Sequence, residues 1–292
     1  MKDDLIHIKF NNKQNPNSGF DMIRIEELFK KKELLDSFNQ VQVLEFFMII
    51  VIQESEGVHS IDFKKHSYQP GTILTIRKNQ IHRFHLNKAV KGDLLLFTDD
   101  FLVSYLEKLE SLKTLQLFNE MLGNPKIQLT PKELIELNSI IQRINNEYFG
   151  IKDNYSQSII RSELHILITK LFRLKYKNDN TLFDKKYLND FILFQSLVES
   201  NVTNLSKVSD YANLMNVSSK TLNNISRNII NLSAKAFIDD IYITHIKRLL
   251  LNSNESIKEI AYLSGFEEIP NFYKYFKRHT NITPELFRKQ NS

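Results

Sequence analysis

Apolar and polar positions change rhythm near residue 100. Before it, short runs rich in Ile, Val and Phe are separated by turn residues. After it, apolar residues recur every three or four positions. "QVLEFFMIIVIQESEG" is an apolar run that closes on a turn-like Glu-Ser-Glu-Gly. "TILTI" (Thr72 to Ile76) follows the turn-forming pair Pro70-Gly71, and "GDLLLFT" (Gly92 to Thr98) is a further short run. β-branched and aromatic runs bounded by turn signals predict strands. Several of them in succession predict a small sandwich or barrel.

From Asp100 the spacing is helical. "FLVSYLEKLESLKTLQLFNEML" carries Leu102, Leu106, Leu109, Leu112 and Leu115 on one stripe. "TPKELIELNSIIQRINNEYF" opens with Thr130 as N-cap, Pro131 at the first helical position and Glu133 three residues after the cap, a capping box with a favoured proline. "SQSIIRSELHILITKLFRLKY" predicts a long amphipathic helix with Ile159, Leu164, Leu167 and Leu171 on its apolar stripe. The polar stretch "KNDNTLFDKK" (residues 177–186) predicts a linker between a first domain, 1–176, and a second, 187–292.

The second domain reads as short helices, and two segments repeat one plan. In "SKVSDYANLMNVSSKTLNNISRNI", Val208, Ala212 and Leu214 give a first helix its inward face. A turn follows at Asn216-Val217, and Ser218 caps a second helix bearing Leu222 and Ile225. In "ESIKEIAYLSGFEEIPNFYKYFKRH", Ser256 and Glu259 form a capping box, and Ile257, Ile260, Ala261 and Leu263 face inward. Gly265 ends that helix, and the next turns Phe272, Tyr275 and Phe276 inward. Two helices joined by a short turn are a helix-turn-helix. "SAKAFIDDIYITHIKRLLL", with Phe237, Ile241 and Leu249, links the copies. Such a pair could present two recognition helices to successive turns of one DNA face, roughly 34 Å apart.

At "SIKEIAYLSGF", "NFYKYFKRH", "TPELFR", "VSDYANLMNVSSKTL" and "HIKRLL" the chain resembles the AraC/XylS family of bacterial transcription regulators, over roughly residues 190–289. The resemblance implies base contacts from Lys220, Asn223 and Asn224 in the first unit and from Ile269, Pro270, Tyr273 and Lys274 in the second. Asn and Lys suit adenine and guanine edges. Ser218, Arg227, Lys277 and Arg278 fall where phosphate contacts are expected. Asn216 and Asn281 stand where the family often has Gly, and Ile269 and Pro270 can touch a thymine methyl but cannot bond to base edges through side chains. The resemblance further implies duplex DNA and RNA polymerase as partners, a homodimer, and activation of nearby genes.

"HSIDFKKHSYQPGTILTIRKNQIHRFHL" resembles the cupin-type sensor barrel, over about residues 20–100. The expected fold is therefore α+β: an N-terminal cupin-like β-barrel with trailing helices, then a C-terminal all-α domain of two helix-turn-helix units joined by a linking helix. Metal-binding cupins cluster His with a carboxylate, and the strand "VQVLEFFMII" has no His. His82 and His85, three apart on a strand, point to opposite faces and stand far in sequence from His59 and His66. No metal, cofactor or catalytic residue is expected. Phe46, Phe47, Phe63, Tyr68 and Phe84 are the candidate lining for a small-molecule effector, and each also fits plain core.

Composition narrows this reading without changing it. The 292 residues are 42% apolar and 25% charged, with no Cys, which removes disulfides, thiolate zinc sites and cysteine nucleophiles. The longest apolar run, Phe46 to Ile52, is too short to span a bilayer, so a cytoplasmic protein with no membrane partner is expected. Net charge is +5, which suits a polyanionic partner without requiring one. From Val202 to Ser292 there are 12 Lys and Arg against 8 Asp and Glu, which predicts moderate, salt-dependent DNA affinity. The competing readings are a cupin-type metal enzyme with an accessory helical domain and a ligand-independent DNA-binding dimer.

Overall fold

The computed structural model describes residues 6–30, 40–62, 64–85, 87, 89–103, 118, 124–175, 187–204, 207–230, 232–253 and 255–291. The chain divides into two compact units, one of residues 6–178 and the other containing residues 179–292. Most of the helix expected over residues 101–122, and the expected linker 177–186, lie outside the described residues.

The first unit runs β1 (Ile6–Ile8), β2 (Phe20–Arg24), α1 (Ile25–Lys30), β3 (Gln42–Leu44), β4 (Phe47–Glu54), β5 (Gly57–Ile61), β6 (Lys64–Tyr68), β7 (Thr72–Ile76), β8 (Ile81–Phe84), β9 (Lys91–Phe97), α2 (Asp99–Val103), β10 (Lys126–Gln128), α3 (Pro131–Asn145) and α4 (Ser156–Lys175). Two five-stranded sheets form, in the orders β1-β3-β8-β5-β6 and β10-β7-β4-β9-β2. The run "QVLEFFMIIVI" is not one strand. It breaks at Glu45 and Phe46, so that β3 joins one sheet and β4 the other. Between the sheets lie Leu44, Phe46, Met48, Ile50, Ile61, Leu74 and Leu94. Phe47, Ile49, Val51, Leu95 and Phe97 face the other way, against α3 and α4. A strand covered on both faces reads as continuous apolar sequence rather than alternation, which is why its break was invisible.

The expected capping box opens α3: Thr130 accepts from the Glu133 amide, and the Glu133 carboxylate accepts from the Thr130 amide. Glu163 on α4 takes Arg143 of α3 at 2.7 and 2.9 Å. The buried stripe of α4 is Ile160, Leu164, Leu167, Ile168 and Leu171, whereas Ile159 is 40% exposed and lies off it. Helix α1 and strand β10 were not foreseen, because neither six nor three residues establish a period.

The second unit comprises α5 (Leu188–Ser200), α6 (Val208–Leu214), α7 (Ser219–Ile230), α8 (Ala234–Asn252), α9 (Ile257–Leu263), α10 (Ile269–Thr280) and α11 (Pro284–Asn291). In one half the rings of Phe191, Phe194, Tyr211 and Phe237 meet. The other half gathers Ile243, Ile246, Leu250, Ile260, Phe272, Phe276 and Phe287. Helix α8 contributes to both. Leu214 and Leu263 are exposed rather than inward. Tyr211 with Ala212, and Ile260 with Ala261, take the buried places, because a seven-residue helix presents only two turns.

Leu164 is fully buried where α4 seals the sheet. Leu164→Ala is expected to cost about 2–5 kcal/mol, read as a lower urea midpoint by circular dichroism. An unchanged midpoint would show that α4 does not complete this core.

Candidate nucleic-acid interface

The two turns of the second unit are built from the same hydrogen bonds. In the first, the amides of Met215, Asn216 and Val217 donate to the carbonyls of Tyr211, Asn213 and Ala212 at 3.0, 3.1 and 2.9 Å. In the second, Ser264, Gly265 and Phe266 donate to Ile260, Tyr262 and Ala261 at 2.9, 2.8 and 3.0 Å. The middle residue is left-handed in both, with φ 54° at Asn216 and 83° at Gly265, and Asn281, after α10, has φ 62°. Asn is the non-glycine residue that best tolerates this region, so the two departures from Gly leave the backbone intact.

Each turn delivers an amphipathic helix. On α7, Leu222, Ile225, Ser226 and Ile229 are buried, while Lys220, Asn224, Arg227 and Asn228 are exposed. On α10, Phe272 and Phe276 are buried, while Pro270, Asn271, Lys274, Lys277 and Arg278 are exposed. Positions i, i+4 and i+7 share a helix face, so Lys220, Asn224 and Arg227 form one row, and Pro270, Lys274 and Lys277 another. Pro270 lies in the first turn of α10, where an amide is not needed. Asn271 was not singled out from the sequence, yet it lies beside Lys274 on the open face, where its side-chain amide donates to the Glu268 carboxylate at 3.1 Å. Its signal was the three-residue spacing between Asn271 and Lys274.

Two expected base contacts are engaged inside the protein. The Asn223 side-chain oxygen accepts from the Ala234 amide at 2.9 Å, at the start of α8. The Tyr273 hydroxyl donates to the Glu285 carboxylate at the start of α11, and that bond, followed by burial, pushes the phenol up to about 12. The two residues hold corresponding places, and each fastens its recognition helix to the helix that follows. A bidentate grip on adenine needs both the oxygen and the nitrogen of an Asn side chain, so Asn223 cannot make it while this bond holds. Ile269 is half-buried. Ser218 caps α7, accepting from the Thr221 amide at 3.0 Å.

Arg278 is held in place by a relay. Its guanidinium lies 5.4 Å from the Tyr275 ring centroid. The Tyr275 hydroxyl donates to Asp239 of α8 at 2.9 Å, and Lys235 donates to the same oxygen at 2.8 Å. Burial, with the Asp239 charge beside it, pushes the Tyr275 phenol up. It therefore stays protonated and keeps donating.

In the first unit, strand pairing overrides distance along the chain. β5 sets His59 opposite His66 of β6 and Ile61 opposite His82 of β8. His59 Nε2 and His82 Nδ1 are 3.3 Å apart, and Phe84 packs edge-on against both rings. His85 bonds to Ser60 at 2.7 Å instead. Among the described residues no group of three or more His, Asp or Glu is arranged to hold a metal ion. Of the expected aromatic lining, Phe46, Tyr68 and Phe84 pack in the core between the sheets. Phe47 is on the opposite side, stacked on Phe97 and touching Phe118, because the break at Phe46 turns neighbouring side chains into different layers. Phe63 lies outside the described residues.

A two-sheet β unit is followed by a helical unit with two matching helix-turn-helix motifs. Residues 28–151 match the family model of an AraC-like ligand binding domain, and residues 211–290 that of a helix-turn-helix domain. With both domains in this order, the chain belongs to the AraC family. It is 28% identical over 158 residues to the Msm operon regulatory protein of Streptococcus mutans, covering 53% of this chain and 54% of that one. It is 20% identical over 250 residues to the transcriptional activator RhaR of Mannheimia succiniciproducens, covering 84% and 86%. The chain spans about half the length of the Msm regulator, and 40% of the melibiose operon regulatory protein of Escherichia coli, to which it is 25% identical over 124 residues, 42% of this chain. The structure of ToxT from Vibrio cholerae aligns with 94% of this chain and 98% of its own, at 16% identity and a TM-score of 0.43. No helix among the described residues is long and apolar enough to cross a membrane.

The buried imidazoles give the first unit a pH dependence. Burial, then the neighbouring His82, His85 and His66, holds His59 well below 6.5, and burial takes His82 down to about 3. The unfolded chain binds these protons below about pH 6.5 and the folded unit does not, so stability is complete above that pH and falls as pH drops toward 3. Urea titrations at about pH 7.5 and 5.5 should show the loss, and His82→Gln should flatten it. A wild-type profile that is level across this window would contradict the placement.

Proposed function

We propose that the chain is a sequence-specific DNA-binding transcription regulator that lays α7 and α10 in successive major grooves. The observation that carries this reading is the pair of amide- and lysine-bearing faces on helices delivered by identically bonded turns. Lys220 and Asn224 on α7, and Lys274 on α10, read base edges, and Asn271 joins them once its bond to Glu268 is released. Pro270, with Ile269 at its margin, meets thymine methyls. Arg227, Lys277, Arg278 and the α7 N-terminus at Ser218 meet phosphates, which fix register rather than sequence. Asn223 and Tyr273 act as latches.

The first unit is the regulatory part in this reading. It dimerises and takes a small-molecule effector between its sheets, against Phe46, Tyr68 and Phe84. Activation is the output in this reading, as RhaR is a transcriptional activator, with RNA polymerase as the partner and the cytoplasm as the location. Family membership favours a regulator over a cupin-type enzyme.

Sheared genomic DNA captured on the purified protein at two salt concentrations tests the reading. A shared motif with two half-elements about 10–10.5 base pairs apart is expected. On that site Lys220→Ala and Asn224→Ala should each cost about 1–3 kcal/mol and relax one base pair. Arg278→Ala should weaken all sequences alike and lower the salt slope by about one. Equal losses on specific and random DNA for Lys220→Ala would remove it from the base-reading face.

A further inference from the structure

The two helix-turn-helix turns share their hydrogen bonds but not their surroundings. In the first turn the left-handed position carries a side chain, Asn216, which is exposed. In the second, a Cβ on Gly265 would lie 2.4 Å from the carbonyl oxygen of Thr203 and 3.4 Å from its carbon. Gly265 is itself exposed, so only the Cβ direction is blocked. The obstacle is backbone, which cannot swing aside as a side-chain tip would. Thr203 lies in the turn between α5 and α6, so the second turn touches the first half directly. On its other side this turn is gripped by α8. The Tyr242 hydroxyl donates to the Ser264 carbonyl, and the Tyr242 ring stacks on Phe266 at 5.7 Å.

We infer that Gly265 is a positioning residue. The seat of its turn on the Thr203 backbone acts as a stop that fixes the separation of the two recognition helices, and with it the spacing of half-elements the protein accepts. This rests on the DNA-binding reading only for its consequence, since the stop itself is mechanical. A left-handed φ explains a Gly or an Asn at this place, as Asn216 shows. The Thr203 contact explains why the second turn cannot carry the Asn that the first one does. Two modules on a common support gain from joint binding only when their separation matches the sites, so loosening the stop should act on spacing before it acts on either half-site.

The test uses Gly265→Asn, which keeps the left-handed residue type and adds a Cβ against Thr203, with Asn216→Gly as control. Because the chain has no Cys, spin labels at Asn228→Cys on α7 and Gln290→Cys on α11 report the distance between the halves in the full chain. Gly265→Asn is expected to shift or broaden that distance distribution, and Asn216→Gly to leave it as in wild type. On duplexes whose half-elements are spaced from one base pair shorter to two longer than the selected site, Gly265→Asn should lose about tenfold at the best spacing and show a flattened preference. A folded Gly265→Asn protein with an unchanged distribution, or an unchanged spacing preference, overturns the stop. A shifted distribution with no spacing preference in wild type upholds the stop and overturns the DNA reading instead. If Gly265→Asn does not fold, Tyr242→Phe, which removes only the hydroxyl bond to Ser264, must broaden the distribution, and its failure to do so overturns the proposal.

Discussion

The helical unit depends on one shared wall. Helices of seven residues such as α6 and α9 are far below the length at which a helix holds itself together in water. Neither pair of helices has enough apolar surface to close a core alone. Helix α8 supplies what both lack: Phe237 toward one half, and Ile243, Ile246 and Leu250 toward the other. Its polar positions are also structural, since Asp239 anchors Tyr275 and the carbonyl of Leu250 accepts from Arg288 at 2.7 Å. Helices α7 and α10 are therefore supported by one rod.

The double motif was legible because its signals are local. A capping box at Ser256 and Glu259, a Gly at the helix end and aromatic residues four apart each follow from backbone chemistry within a few residues. The same locality misled at Asn223 and Tyr273. Their position on the helix is that of a reader, but their bonds go to Ala234 and Glu285, eleven and twelve residues on. No spacing rule within one helix shows where the next helix will pass. Leu214 and Leu263 were misjudged for a related reason, since apolar type alone does not say which side of a two-turn helix is covered.

The β unit was legible in class and less so in detail. Its apolar runs identified strands, but the layer each residue faces is set by pairing. One break at Phe46 separates it from Phe47 by a whole sheet. His59 and His82, twenty-three residues apart in sequence, become stacked neighbours because β5 and β8 are adjacent. Burial then fixes these imidazoles as neutral groups, a property that belongs to the pairing rather than to either residue.

The latches at Asn223 and Tyr273 divide labour along each helix. Residues that hold the recognition helices lie at its edges and beneath it, while Lys220, Asn224, Asn271 and Lys274 are exposed and take no part in the buried cores. Substitutions at those four places leave the cores untouched. Such a surface can be rewritten one side chain at a time, which lets a lineage of duplicated regulators diverge in target while inheriting an unaltered scaffold.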